Sequence, residues 1–403
     1  MRSARRIESS AQGSARRIES SAERSARSTA SLSPTDLAEA AAALADTSGP
    51  VLIVGAGTAV DWAGRPEPAG LLLNTAALTG VRAHNPADMT VEVRAGTPLR
   101  ELNGVLAEHG QRVALDPARV ALGATVGGLI ATADAGPLAL TYGSMRDLVI
   151  GATLVLGDGT VARTGGHVIK NVAGYDLAKL VHGCHGTLAL IAEVVLRLHP
   201  LPAASVTVRL PGSLAEAAEA AALVLAGPLE PVALEWCADA LLVRLDGGPA
   251  AVHARATRLT GLLGLGAVRL DPDEAVAAWD EHAVLVAGAE GRPPAGTAVL
   301  RVGARPSRLP GLLEQLTAEL GAGRGTAGLA TGVGTVALPV DAVAAAHQLV
   351  HRVGGTSMVR GRPPGAELPA WGPAPSALGV LRAVRAELDP AGRLGAGRFA
   401  PWL

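Results

Sequence analysis

The residues whose types could do chemistry crowd into one stretch. Of the 35 basic residues, 33 are arginines and two are lysines, and both lysines fall in Lys170-Asn171-Val172-Ala173-Gly174-Tyr175-Asp176-Leu177-Ala178-Lys179. The same ten positions hold Tyr175, one of two tyrosines, and Asn171, one of four asparagines, in a chain otherwise rich in Ala, Gly, Leu, Val, Arg and Pro. This concentration points to a local requirement for these residue types, and chance clustering of a small sample is the plain alternative.

Two glycine-bearing segments offer backbone chemistry. Val51 to Val54 reads as a strand running into Gly55-Ala56-Gly57-Thr58-Ala59, where backbone N–H groups can approach a diphosphate because no Cβ intervenes and positive φ is free. A tight turn would look the same. The dinucleotide fingerprint GxGxxG is absent, since position 60 is Val, and a nicotinamide-binding Rossmann unit is disfavoured. Gly123-Ala124-Thr125-Val126-Gly127-Gly128-Leu129-Ile130-Ala131-Thr132 places a threonine and two glycines at the start of a short helix. Its free N–H groups could hold an electron-rich ligand; close packing of helix on sheet through Gly127 and Gly128 accounts for it equally well.

Composition narrows the classes. With 49% hydrophobic and 18% charged residues over 403, the chain can bury sizeable cores in two to three domains. A net charge of -1 and 2% aromatics leave neither a basic face nor stacking platforms, so no nucleic-acid partner is expected. Cys184 and Cys237 lack the spacing and number for a zinc or iron–sulfur site, so no metal is expected and both read as buried free thiols. No uncharged apolar run is long enough to span a bilayer, and no transmembrane segment is expected.

The positioning elements follow in order. Residues 1 to 33, with Ser-Ala-Arg-Arg-Ile-Glu-Ser-Ser-Ala at 3 to 11 and again at 14 to 22, read as a flexible extension, because one Ile per repeat cannot bury enough surface to fold. A helix is predicted over Asp36 to Leu44, with Ser33 or Thr35 as its cap. Strands are predicted at Leu71 to Asn74 and Thr90 to Arg94, a helix over Pro98 to Glu108 capped by Thr97, and a strand at Val113 to Leu115. A hairpin over 148 to 163 turns at Gly157-Asp158-Gly159, and 188 to 198 is a long strand. Pro200 and Pro202 mark a boundary. Beyond it, strands near 205–210, 232–236, 241–245, 297–302, 333–338 and 355–360 alternate with helices near 213–226, 249–264, 308–320 and 340–352, the cadence of an α+β sheet with helices on one face. A last helix covers 376 to 388.

The succession Thr-Val-Gly-Gly-Leu-Ile-Ala, Tyr-Gly-Ser-Met-Arg-Asp, Val-Ile-Lys-Asn-Val-Ala-Gly-Tyr-Asp-Leu and Gly-Thr-Leu-Ala-Leu-Ile-Ala-Glu-Val resembles the FAD-binding domain of the vanillyl-alcohol oxidase type, and most closely the FAD-binding subunits of bacterial glycolate oxidases, over about residues 50 to 200. The resemblance implies an α+β protein: a two-subdomain PCMH-type FAD-binding domain over 34–202, a ferredoxin-like α+β cap domain on the substrate side over 203–375, and a C-terminal helix and tail over 376–403 returning to the FAD domain. It implies FAD as cofactor, with Gly55, Ala56, Gly57, Thr58, Ala59, Thr125, Gly127 and Gly128 around the diphosphate and ribityl chain, and Ala131, Thr132, Ser144 and Asp147 nearby. Gly186, Thr187, Ile191 and Glu193 would line or support the adenine side, while Lys170, Asn171, Tyr175 and Asp176 would brace the cofactor loop. Asp147 and Asp176 read equally well as cap or turn residues.

The departures carry expectations of their own. The family's loop usually begins Arg-Gly and ends in Ser, whereas Val54 and Ala59-Val60 stand here, so the phosphates lose a cation and a hydroxyl. No histidine occupies the glycine loop or its flanks, so FAD is expected to be noncovalent. Oxidising a 2-hydroxy acid needs a base, a cation for the carboxylate and a hydride acceptor. The second half offers only His351 and Arg360 as weak catalytic candidates, and each reads more readily as a surface residue than as a catalytic one. The reading that follows is an FAD-binding subunit of a glycolate or related 2-hydroxy-acid dehydrogenase complex, cytoplasmic or held at the inner membrane by partners: a second flavoprotein and an iron–sulfur subunit. A stand-alone flavoenzyme acting on another alcohol or sugar, and a flavin-free structural subunit, are the competing classes.

Overall fold

In the computed structural model, residues 30–168 and 174–403 are described. The Ser/Arg repeat lies outside them, as do Lys170 and Asn171.

The glycine loop leaves a small parallel sheet. Val51–Val54 pairs with Leu71–Asn74, Val51 opposite Leu71, and Ala30–Leu32 adds to the far side of the same strand. Of the extension expected over residues 1 to 33, Ala30–Leu32 are instead ordered by pairing to Leu71–Leu73. Beside it stands a five-stranded antiparallel sheet in the order Val81–Asn85, Thr90–Arg94, Leu190–Arg197, Val149–Val155, Val161–Gly165. Its central strand is apolar almost throughout because both faces are covered. Leu190 and Ala192 pack toward Val51, Leu71 and Leu73 of the small sheet, while Ile191, Val194 and Leu196 join Leu99, Leu102, Leu129 and Ile130 from the helices.

The second half is built on an eight-stranded antiparallel sheet, ordered Val268–Arg269, Ala204–Pro211, Ala240–Gly247, Ala233–Cys237, Gly325–Gly328, Val333–Pro339, Thr297–Gly303, Thr356–Gly361. Its strands alternate. Val206, Val208, Leu234, Leu241, Val243, Leu300, Val302 and Val359 form one core with the helices Leu214–Ala226, Pro249–Leu263, Leu309–Leu320 and Val343–Arg352. The intervening Thr207, Glu235, Arg244, Asp246, Arg301 and Arg360 therefore face the other way. That polar face turns toward the first half, where Asp246 meets Arg112 at 3.1 Å and Arg360 meets Asp134 at 2.8 Å.

Several expectations need correction. The helix Pro272–Ala287 was not predicted, although Asp271 and Glu274 form a reciprocal capping box and Pro272 opens its first turn. It lies on the polar face, with Trp279 donating to Thr207 Oγ1 at 3.0 Å and His282 3.4 Å from Glu235. Gly325–Gly328 is a strand despite its glycines, since a Cβ at Gly325 would meet the Thr335 carbonyl oxygen at 2.4 Å. The first helix, Leu37–Ala45, is capped by Asp36, whose side chain accepts from the Glu39 amide. Thr97 does not cap Leu99–Ala107; its hydroxyl accepts from the Gly80 amide at 2.9 Å. The strand expected at Val113 to Leu115 is instead Gln111–Arg112, paired with His199–Pro200.

After the helix Leu378–Leu388 the tail returns to the small sheet. Asp389 accepts from the amides of Arg393 and Leu394 at 3.0 and 2.8 Å, and the Arg393 guanidinium donates to the carbonyls of Leu44, Gly49 and Gly157. Val51 then brackets Leu394, donating to Arg393 O at 2.8 Å and accepting from Gly395 N at 2.9 Å. Leu394 is fully buried in the core of the small sheet. Removing such a side chain costs its transfer energy plus a cavity, so Leu394→Ala is expected to lose about 2–4 kcal/mol. Urea unfolding should show a lower midpoint at unchanged slope.

Candidate functional site

A cleft with a cavity volume of about 90 Å³, partly open to solvent, runs between the two glycine segments. Its walls are Ile53 to Val60 on one side, Thr125, Gly127, Gly128, Ala131 and Thr132 on another, and His185, Gly186, Ala189, Ile191 and Arg398 closing it. Two backbone devices shape it. Gly57 has φ of 69°, so the loop turns where an L side chain is disfavoured. A Cβ at Gly55 would lie 2.7 Å from Thr125 Oγ1, so the absence of one there lets the loop approach the second segment. Thr125 caps the helix Val126–Ala131, accepting from the Gly128 amide at 3.1 Å. Gly127 lines the cleft by its backbone, but its missing side chain is required elsewhere, since a Cβ would meet Ala95 Cβ at 2.8 Å and Ala95 O at 3.1 Å. The packing role set beside the ligand role in the sequence is thus real at this position.

Arg119, in the wall of the cleft, belongs to a buried charge cluster. Asp134 is buried, and its two carboxylate oxygens accept from Arg119 Nε at 2.9 Å and Arg360 Nη1 at 2.8 Å. All three side chains are at most 3% exposed. Both guanidinium carbons sit 4.1 Å from the centroid of the Trp62 ring, an arrangement that adds cation–π attraction to the ion pairs. Arg119 also donates to Thr58 Oγ1 at 2.9 Å and Thr132 Oγ1 at 2.7 Å, which ties the glycine loop to the helix end. Burial alone would raise the Asp134 carboxyl, yet Arg119 and Arg360 outweigh it and hold the group below the usual carboxylate range. Arg360 is brought down to about 9 by burial, which the attraction of Asp134 partly offsets, and it remains a cation at neutral pH.

His185 and Arg398 close the cleft. His185 adopts φ of 50°, its amide donating to Ala131 O at 2.7 Å, and its ring meets Trp371 and Phe399 edge-on at 5.8 and 5.6 Å. Burial, and then the charges of Arg398, Arg360 and Arg119, push its pKa down to about 3, so the imidazole is neutral at pH 7. Arg398 donates through Nη1 to the carbonyls of Val60 at 2.7 Å and Trp62 at 3.0 Å.

Of the residues singled out in the sequence, the fold brings Gly55, Ala56, Gly57, Thr58, Ala59, Thr125, Gly127, Gly128, Ala131, Thr132, Gly186 and Ile191 to this cleft. Others stand apart from it. Ser144 and Asp147 form a reciprocal capping box on Met145–Leu148. Asp176 caps Leu177–Val181 and pairs with Lys179 Nζ at 3.0 Å, and Tyr175 is 91% exposed. Thr187 donates to Cys184 O at 2.7 Å, and Glu193 pairs with Arg82 at 3.4 Å. His351 is an exposed residue in the last turn of Val343–Arg352. Arg360, which reads more readily as a surface residue, is instead buried, because Asp134 pairs with its guanidinium at 2.8 Å. Trp62, Arg119, Asp134, His185 and Arg398 were not foreseen. The signal for Arg119 and Asp134 was weak, two opposite charges 15 residues apart in apolar surroundings.

The donor set suits a flavin dinucleotide: two backbone segments able to approach a diphosphate and cations beside them. Residues 31–165 match the protein family described as FAD binding domain. The chain carries a PCMH-type FAD-binding domain, and its cofactor is FAD. It is similar to glycolate oxidase subunit GlcE of Escherichia coli, 35% identical over 212 residues that make up 53% of this chain and 60% of that protein. It is also similar to the mitochondrial D-lactate dehydrogenase [cytochrome] of Arabidopsis thaliana, 38% identical over 39% of this chain and 27% of that one. The chain thus spans less than two thirds of the length of these relatives. An alkyldihydroxyacetonephosphate synthase shares the fold over 91% of this chain and 75% of its own, with a TM-score of 0.66 and 15% identity. Among the described residues no three His, Cys, Asp or Glu side chains are grouped to hold a metal ion, and no helix is long and apolar enough to cross a membrane.

Two stability measurements follow from the buried charges. Asp134→Asn leaves two buried guanidinium groups without their counter-charge, and a loss of about 3–5 kcal/mol is expected in chemical denaturation. The pH dependence combines two opposed groups. The pKa of His185, about 3 in the folded chain, stands against an ordinary histidine value of 6.5, so its contribution is complete above 6.5 and declines as pH falls toward 3. The Asp116 carboxyl is pushed up by burial to about 6 from 3.8, so the folded state binds the extra proton and stability declines as pH rises across that window. His185→Gln should therefore flatten the acid limb of a plot of Tm against pH, and Asp116→Asn should raise Tm above pH 6 with little change below pH 4.

Proposed function

We propose that this chain is the FAD-binding subunit of an oxidoreductase complex that oxidises glycolate or a related 2-hydroxy acid, with glyoxylate or the corresponding 2-oxo acid as product. The similarity to a glycolate oxidase subunit and to D-lactate dehydrogenases supports the substrate class. The observation that carries the subunit reading is the state of the arginines. A 2-hydroxy acid needs a cation for its carboxylate, yet the Arg119 and Arg360 pair is already closed on Asp134, and Arg398 in the cleft wall is fixed on the carbonyls of Val60, Trp62 and Gly64. A base for the hydroxyl proton is no better provided. His351 is exposed away from the cleft, and His185, with a pKa near 3, is a weak base at neutral pH.

When bound, FAD supplies a two-electron acceptor. The residues of this chain hold and orient it: Gly55 to Thr58 and Thr125 to Gly128 by backbone, Arg119 by fixing Thr58 and Thr132, and Trp62 by covering the arginines from water. The chemistry on the hydroxy acid belongs to a second flavoprotein, and onward electron transfer to an iron–sulfur partner, since Cys184 and Cys237 are separate buried thiols. FAD is held without a covalent link.

Acid precipitation of the purified chain is therefore expected to release its yellow colour into the supernatant. Flavin that stays with the pellet would contradict noncovalent binding. The flavin-loaded chain, mixed anaerobically with glycolate or D-lactate in a stopped-flow instrument, is expected to keep its visible flavin band. A missing general base is worth roughly 10²- to 10⁴-fold in rate. Bleaching within milliseconds to seconds by one acid would make this chain a complete dehydrogenase, with His185 the first residue to replace.

A further inference from the structure

The glycine loop enters the cleft with Val54, Ala59 and Val60 at the positions nearest its ends, so it brings a diphosphate no cationic side chain of its own. Two arginines line the cleft, and they are differently engaged. The three donor nitrogens of Arg119 are taken by Asp134, Thr58 and Thr132. Arg398, 5% exposed, has no carboxylate within ion-pair distance among the described residues, and its Nε is buried without a hydrogen-bond partner. Asp61, the acid whose field it feels most, is itself exposed to water. Three carbonyls, those of Val60, Trp62 and Gly64, accept from Arg398 Nη1 and fix the group, but they carry no net charge to balance it. A buried cation without a counter-ion is strongly unfavourable, and its place in the cleft wall shows where the counter-ion belongs.

The tail that carries Arg398 is held in register with the cleft. Gly64 N donates to Arg398 O at 2.9 Å and Glu67 N to Ala396 O at 2.8 Å, and a Cβ at Gly64 would lie 2.2 Å from Gly397 O, so the two backbones touch. We propose that Arg398, delivered by the C-terminal tail, is the cation that faces the FAD diphosphate in place of one from the glycine loop. Cofactor binding and docking of the tail are thereby coupled. The inference rests on FAD being the ligand of this cleft and adds the residue that recognises its phosphates.

The test is a titration of the full-length apoprotein with FAD and, separately, with riboflavin, which has the ring and ribityl chain but no phosphate. Arg398→Ala is expected to weaken FAD about 10- to 100-fold, the worth of one charge-assisted hydrogen bond, and to change riboflavin affinity less than twofold. Arg398→Lys should recover most of the loss by restoring the charge. FAD should slow proteolytic cleavage after residue 389 in the unaltered chain and fail to do so in Arg398→Ala. Unchanged FAD affinity in Arg398→Ala would overturn the proposal, and so would an equal loss for both ligands that Lys does not restore. Should Arg398→Ala not fold, Arg398→Gln decides: retained FAD affinity overturns the proposal, and a loss confined to FAD supports it. If the unaltered chain binds neither ligand, the cofactor reading itself fails, an outcome distinct from those above.

Discussion

Asp134 holds a position on which both halves of the protein depend. Its carboxylate is shared between Arg119, from the short helical turn Ala118–Leu122, and Arg360, from the last strand of the eight-stranded sheet, and Trp62 covers both guanidinium groups. Two cations and one anion out of water are tolerable only as a unit, because each group's desolvation is offset by the others. The unit therefore fixes three things at once: the approach of the second sheet to the first half, the position of the Thr58 loop through Arg119, and the end of the Val126–Ala131 helix through Thr132. The cluster reaches the cleft through Arg119, which stands in its wall.

The same electrostatics shape the walls. Burial, and then the charges of Arg398, Arg360 and Arg119, depress His185, so Arg119 and Arg398 line the cleft beside an uncharged imidazole. Such a site is prepared for an anionic ligand and would hold it with little reorganisation. Aromatic side chains, scarce in this chain, gather on the same side: Trp371 stacks on Phe399 at 4.9 Å and contacts Trp402 at 5.2 Å, with His185 against them. They give the returning tail an apolar footing beside Arg398, and Trp371 Nε1 donates to the Arg398 carbonyl at 2.9 Å.

The seam between the halves carries two groups of ion pairs beside apolar contacts such as that of Leu140 with the core of the second sheet. Arg112, Asp246 and Arg244 form a chain of ion pairs at one end, and Asp134 with Arg119 and Arg360 forms one at the other. Partners of this kind specify one docking geometry more strictly than apolar contacts, which accept many. Orphaned donors remain along it, Arg112 Nε and Arg360 Nε, so part of its hydrogen-bonding capacity is left for water or a ligand.

What the sequence by itself determined was much of what depends on short range. The apolar rhythm placed six of the eight strands of the second sheet within a residue or two, missing Val268–Arg269 and Gly325–Gly328, and glycines after Val51–Val54 marked the loop, because pleat and positive φ are local properties. Ten residues of unusual composition drew attention to 170–179, yet Asp176 there is a cap, Tyr175 is exposed and Lys170 and Asn171 lie outside the described residues. Tertiary structure alone decided Arg360. Alternation shows that it lies opposite Val359, but which body covers that face, and that a carboxylate 226 residues earlier waits there, is not encoded in any local pattern. Arg398 is the same case, a charged residue in a glycine-rich tail whose meaning appears when the tail reaches Gly64, 334 positions back along the chain. Long-range charge pairing leaves no periodicity to read, so the sequence could locate the backbone of the site and only the folded chain could supply its charges.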